Sequence, residues 1–309
     1  MEENHAEKFC TDRLCALPLD RRWLGARAEA RARGSGLWIN RSEPDAVLNA
    51  LATRDAHFGS FGASSSVLAR IGGVDTVLIA TATPGLLFYL VTRKEIRTAN
   101  DLKGRKIAVS RPGTDSDLAA RVAAQKLGLA EKDVQIITMG TDAERLSAMT
   151  QRIANATVLT IGGYVAAQKL GFHSILDLSQ ANVPYEAASL ITTRTLIKEN
   201  TEMVRSYVKG FVAAIQYAQT HREATLKILS KYMRTSDAEI LNASYDYYVG
   251  RVIPRTPYVS EKGLQAVIDF IRQRNPQVSN VKAQDFMDNR FIKELDESGF
   301  IKSLYVKPS

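Results

Sequence analysis

Residues 101–118 narrow the choice of fold, because strand, glycine loop and helix start follow one another there without a gap. Lys103-Gly-Arg-Lys106 is a polar turn, and Ile107, Ala108 and Val109 form a short apolar run of β type. Pro112-Gly113 ends that strand, and Thr114, Asp115 or Ser116 caps a helix that opens at Leu118. Such a junction aims unpaired backbone N–H groups and the positive end of a helix dipole at one spot, which suits an anionic or strongly polar ligand. The same residues also read as an ordinary capped turn of an α/β protein, since most loops of this kind bind nothing.

The pattern recurs along the chain. Leu37-Trp-Ile39 is a short strand candidate, and Ser42-Glu-Pro-Asp45 opens a helix carried on by Ala46, Leu48, Ala50 and Leu51. His57-Phe-Gly-Ser-Phe61 is a strand leading into a helix at Gly62-Ala-Ser-Ser-Ser66, and apolar strands follow at 76–81 and 87–91. A helix over 116–127 stops at Gly128, and strand 134–138 precedes helix 142–150. Strand 157–160 runs through Gly162-Gly163 into another helix, and residues 189–194 form a further strand. Strands alternating with helices predict an α/β fold with a mainly parallel sheet. The last third is helical. Val204, Tyr207, Val208, Phe211, Val212 and Ile215 recur with the period of a helix, and further helices are predicted near 222–232, 236–248, 260–274 and 285–298. Met287, Phe291 and Leu295 give the last one an apolar stripe, and Gly299 is its stop signal.

With 309 residues the chain has room for two domains. The expected division is an atypical segment 1–35, a first lobe begun by 36–100, a second lobe 101–188, and a return to the first lobe over 189–309. Its 41 basic residues outnumber 33 acidic ones but are scattered along helices, which marks a solvated surface and argues against a nucleic-acid partner. Cys10 and Cys15 have no Cys or His neighbours at metal-ligand spacing, so no metal and no cofactor are expected. No apolar run is long enough to span a membrane. Residues 1–35 show no secretory signal, being charged at the start and rich in Arg and Ala over 20–33.

Four motifs carry a specific resemblance: His57-Phe-Gly-Ser-Phe-Gly-Ala63, Asp101-Leu-Lys-Gly-Arg-Lys-Ile-Ala-Val109, Leu196-Ile-Lys-Glu-Asn200 and Phe291-Ile-Lys-Glu-Leu-Asp-Glu-Ser-Gly-Phe300. In order and spacing, residues from about 46 to 305 resemble the substrate-binding proteins of ABC transporters for aliphatic sulfonates, taurine and nitrate, together with the related proteins of thiamine-pyrimidine synthesis. The resemblance implies the type II periplasmic-binding-protein fold, with two α/β lobes joined by two crossover strands and the ligand in the interlobe cleft. It implies a single chain that delivers a small polar or anionic solute to a transporter permease from a periplasmic or extracytoplasmic location. It also implies a hinge at the crossover strands near 91–93 and 192–194.

Carried over residue by residue, the resemblance implies ligand contacts from Ser60, Gly62, Ala63 and Ser64, and from Thr81 and Thr83 beside the crossover. The other lobe would contribute Pro112, Gly113, Thr114, Asp115 and Ser116, with Thr160, Gly162 and Tyr164 at a later strand end. Asp115 disfavours an anion unless it points away. Each hydroxyl reads equally as a cap for its own helix. Three departures stand out: residues 1–35 lack the usual first strand, loop and helix; Asn155 stands where Asp is common; and Gly162-Gly163 replaces a bulkier turn.

Two other functions compete with that reading. An enzyme of thiamine-pyrimidine synthesis, or a binding protein for its precursor, shares the fold. The enzyme's chemistry needs a cysteine-rich motif, and no cysteine follows Cys15. A transcription-regulator effector domain needs a helix-turn-helix ahead of the lobes, for which 35 residues are too few. A non-enzymatic receptor is the leading expectation.

Overall fold

The computed structural model describes residues 44–181, 183–278 and 280–306. The expectations for the segment 1–35, the strand 37–39, Cys10 and Cys15 lie outside them. In chain order the elements are α1 (Pro44–Ala52), β1 (Gly59–Gly62), α2 (Ala63–Ile71), β2 (Thr76–Pro84), β3 (Tyr89–Thr92) and β4 (Arg105–Val109). Then come α3 (Asp115–Lys126), β5 (Val134–Thr138), α4 (Asp142–Thr150), β6 (Ala156–Leu159), α5 (Ile161–Lys169), β7 (His173–Asp177) and β8 (Glu186–Thr193). The remainder is helical: α6 (Arg194–Glu199), α7 (Thr201–Thr220), α8 (Arg222–Met233), α9 (Ala238–Ser244), a π-helical stretch Tyr245–Val252, α10 (Glu261–Arg272), α11 (Arg290–Glu297) and α12 (Phe300–Ser303).

The chain forms two units. Unit 1 takes residues up to Pro84, Glu186–Ser236 and the chain from Tyr248 onward; unit 2 takes Gly85–Tyr185 and Asp237–Tyr247. These changeovers differ from the expected 100/101 and 188/189. Residues 89–92 pair on both sides within the unit 2 sheet, so the chain has already changed unit before Tyr89. For the same reason residues 91–93 and 192–194 are not where the chain passes. Pro84 is register partner of Glu186 in unit 1, and the Gly85 N–H donates to the Tyr185 carbonyl at 2.8 Å in unit 2, so the passages lie between those two pairs, at 84/85 and 185/186. A second excursion, residues 237–247, returns to unit 2: α9 packs on α5, and Lys169 pairs with Asp237 and, at 3.1 Å, with Glu239.

The sheets correct the parallel expectation. In unit 1 the order is β1-β8-β2, with both pairings antiparallel. In unit 2 the order is β5-β4-β6-β3-β7; β4 is parallel to β5 and β6, while β3 runs antiparallel to both β6 and β7. The central strand of unit 1 enters from unit 2 rather than over a covering helix, so no right-handed parallel crossover is required there.

Burial follows the sequence period. On α7, Val204, Val208, Phe211, Val212 and Ile215 are buried against Val77 and Ile79 of β2 and against Phe291, Ile292 and Leu295 of α11. Each fully buried side chain of this size contributes about 1.5–3 kcal/mol. Asn200 caps α7 by accepting the Met203 N–H at 3.1 Å. In unit 2, Val91, Ala108, Leu146, Met149, Leu159 and Ala167 form the core, covered in part by Tyr89 and Tyr164. Asn155 ties three strands: its side chain accepts the Lys106 N–H at 3.1 Å, its own N–H donates to the Lys106 carbonyl, and its carbonyl accepts from Arg93. That use needs only a short acceptor, which Asp and Asn both supply.

Candidate functional site

The parallel strands of unit 2 decide where its polar loops gather. Because β4, β5 and β6 run the same way, the loops after their carboxyl ends lie at one edge of the sheet and open α3, α4 and α5. Three helix amino ends at one sheet edge make the most polar backbone region of this unit, and the usual ligand position of open α/β sheets.

At the end of β4 the chain turns through Gly113, whose φ of +78° favours glycine. Thr114 is the residue before α3, yet its side chain makes no capping bond. Its hydroxyl donates instead to the Arg111 carbonyl at 2.7 Å. Ser110, Thr114 and Ser116 hydroxyl oxygens stand 2.8–3.1 Å apart, and the Ser110 N–H donates to Ser116 Oγ at 2.9 Å. Thr114 has spent its hydrogen on Arg111, so the two remaining hydroxyl hydrogens serve the bonds inside the triangle. The cluster therefore offers lone pairs as it stands, and donates outward only by rotating Ser110 or Ser116. Asp117, 1% exposed, accepts the Gly113 N–H at 2.9 Å and pairs with Arg121 at 2.7 Å. Asp115 accepts from the buried Tyr185 hydroxyl at 2.7 Å. Its carboxylate is turned onto the Tyr185 hydroxyl.

The end of β6 is built differently. Thr160 precedes α5, and its hydroxyl donates to Asp142 Oδ2 at 3.3 Å. Asp142, in the first turn of α4, also pairs with the buried Arg145, whose guanidinium bonds the carbonyls of Gly140 (2.7 Å) and Val158 (3.2 Å). A Cβ on Gly163 would lie 2.6 Å from Asp142 Oδ2 and 3.3 Å from Leu159 Cβ, so the carboxylate lies directly over the first turn of α5. The glycine at 163 in the Gly162-Gly163 departure has this physical cause. Among these helices α5 alone has no acidic residue of its own in its first turn, and a carboxylate borrowed from α4 stands there.

Tyr164, one turn into α5, stacks on Tyr89 with ring centroids 4.5 Å apart and planes 14° from parallel. Tyr89 stands opposite Leu159, the last residue of β6, and Tyr247 leans on it at 6.4 Å and 54°. Burial, the Asp177 carboxylate and the neighbouring phenols push the Tyr89 hydroxyl up, so it stays protonated.

In unit 1 the antiparallel register brings several sequence-expected residues to one end of the sheet. Ala188 of β8 faces Gly62 on one side and Thr83 on the other, and its N–H donates to Thr83 Oγ1 at 3.2 Å. Ser60 is exposed, opposite Leu190; Ala63 and Ser64 are buried in the first turn of α2. Thr81 is 1% exposed, and its hydroxyl is buried near Glu186 without a hydrogen-bond partner. Glu186 is itself fully buried, accepting from Ser189 Oγ at 2.8 Å and from the Ser260 N–H at 2.9 Å. With no cation among these partners, burial pushes its carboxyl above the ordinary range, against the pull of these hydrogen bonds.

Sequence reasoning missed Asp142, Arg145, Tyr89, Tyr185, Glu186 and Tyr247. The Thr141-Asp-Ala-Glu144 capping box was readable and does form, but nothing local tells that Asp142 reaches Thr160. The Tyr185–Asp115 bond spans 70 residues and has no sequence signature. Among the described residues no group of three His, Cys, Asp or Glu could hold a metal ion, and no helix is long and apolar enough to cross a membrane.

Comparison with known proteins places this geometry in context. The sequence model of the NMT1/THI5-like family matches residues 37–225. An aliphatic sulfonates-binding protein of Escherichia coli is 26% identical over 267 residues, covering 84% of this chain and 76% of its own length. The crystal structure of the periplasmic aliphatic sulphonate binding protein SsuA from Escherichia coli superposes with a TM-score of 0.64 at 17% identity, over 99% of this chain and 90% of that one. The desulfurization enzyme DSZB shares the fold at a TM-score of 0.62 and 15% identity, over 78% and 85% of the two chains.

Proposed function

This chain belongs to the NMT1/THI5-like family, and on that footing we propose that it is the solute receptor of an ABC-type importer for a small organic anion of the sulfonate kind. Its fold is that of the type II periplasmic binding proteins. The observation that carries the reading is the edge of unit 2 where α3 and α5 start from the neighbouring strands β4 and β6, with the Asp115 carboxylate turned onto Tyr185. Helix amino ends and rotatable hydroxyls hold a sulfonate by hydrogen bonding, as a receptor requires: the group is bound and released unchanged. Gly113, Thr114, Ser116, Thr160, Gly162 and Tyr164 are the proposed contacts from unit 2. Ser60, Gly62, Ala63, Ser64 and Thr83 are those from unit 1. Thr81, whose buried hydroxyl has no partner, lies outside this set. The proposed partner is a transporter permease, the proposed working form a single chain, and the proposed location extracytoplasmic.

The test is a thermal-shift panel on the purified chain with alkanesulfonates, taurine, nitrate, aromatic acids and hydroxymethylpyrimidines. A ligand at about a hundred times its Kd adds roughly 2.7 kcal/mol and raises the melting point by a few degrees. A sulfonate is expected to give the largest shift. A cooperative melt that no anion moves would overturn the receptor reading, and a pyrimidine as the one hit would reassign the ligand.

A further inference from the structure

Resting on that receptor reading, we propose that the tyrosines Tyr89, Tyr164 and Tyr247 select the body of the ligand, and that the preferred solute is an aromatic anion rather than an alkyl or inorganic one. Three rings come together from β3, α5 and the π-helical stretch, positions far apart in sequence. They meet at the carboxyl end of β6, the strand end from which α5 starts. All three residues are half-buried rather than enclosed in the core.

A purely structural plug here would need no phenols. The core beneath is aliphatic apart from Met149, filled by Val91, Leu146 and Leu159. A receptor for nitrate or a very short alkyl anion needs only the polar end of the site. A stacked pair with a third, tilted ring instead offers the offset and edge-on geometries that a flat ring prefers. The backbone behind Tyr247 supports the same assignment. Residues 245–252 are π-helical, a rare geometry frequently found at functional sites, and Tyr247 is the last residue of unit 2 before the chain returns to unit 1.

The test uses benzenesulfonate and cyclohexanesulfonate, close in size and alike in charge, titrated calorimetrically into the full chain and its variants. Wild type is expected to bind benzenesulfonate about three- to tenfold tighter, the value of one good ring contact. Tyr164→Phe keeps that ratio, because the ring remains. Tyr164→Leu and Tyr247→Leu weaken benzenesulfonate more than cyclohexanesulfonate and so bring the ratio toward one; two separate sites guard against one variant failing to fold. Equal affinities in wild type overturn this inference alone, as does a ratio that survives both leucine variants. Binding of neither sulfonate, with no other anion bound, overturns the receptor reading and this inference with it.

Discussion

Glu186 is a carboxylate that folding places where water does not reach, with hydrogen-bond donors but no cation among its partners. Its folded pKa lies above the unfolded one, so folding takes up a proton. The stability it contributes is complete below the unfolded pKa and is lost as pH rises through the folded pKa, at up to about 1.4 kcal/mol for each pH step of one between the two values. Glu186→Gln keeps one acceptor and removes the ionisation. In urea titrations at pH 4 and pH 8 the variant should match wild type at the lower pH and exceed it at the higher; a difference independent of pH would refute the assignment. Gly163 poses a steric question of the same size. Gly163→Ala drives a methyl into the Asp142 carboxylate, which Arg145 and Thr160 hold in place, and should cost about 1–3 kcal/mol in the same titration. Glycine at 163 was visible in the sequence as a departure, but its reason was not, since Asp142 lies a whole helix and strand away. The hydroxyls of Thr114 and Ser116 were read as helix caps or ligand contacts, while their mutual bonds could not be read from spacing.

Elements were legible wherever periodicity acts within one segment. The apolar stripe of α7 predicted the buried set Val204, Val208, Phe211, Val212 and Ile215. Gly299 ends α11 with a φ of +76°, as its position after Phe291 and Leu295 implied. What failed depends on partners. Strand β7 reads His-Ser-Ile-Leu-Asp, all five residues half-buried, and pairs with β3 alone, so it shows neither a continuous apolar run nor clean alternation. The predicted helix 236–248 splits into α9 and π-helical turns, because a change from four- to five-residue spacing leaves no trace in composition. The mainly parallel sheet expected is antiparallel in unit 1, where strand direction is set by the route of the chain and not by any strand's own residues.

At the scale of the molecule, the two-lobe division was inferred from the resemblance and its changeovers shifted once pairing was visible. The late return of residues 237–247 to unit 2 had no precedent in the sequence, since α9 looks like one more helix of a helical third. It makes a prediction. Leu241 is buried on α9, which packs against α5. Leu241→Ala should weaken amide-exchange protection of α5 (Ile161–Lys169) more than that of α7 (Thr201–Thr220), although Leu241 stands nearer in sequence to α7. Greater loss in α7 would assign α9 to unit 1.

The order β1-β8-β2 also has a consequence for synthesis. A ribosome makes β1 and β2 early, and their shared partner only after all of residues 85–185. Throughout that interval the Val77-Leu-Ile-Ala80 run, wholly buried in the finished protein, has neither its ladder nor the α7 and α11 faces that cover it. Pairing over so long a separation is slow, and an unmatched apolar strand invites association with other chains. The nascent polypeptide is therefore most vulnerable midway through translation, and its need for a holding chaperone should end once β8 and the α7 face have emerged.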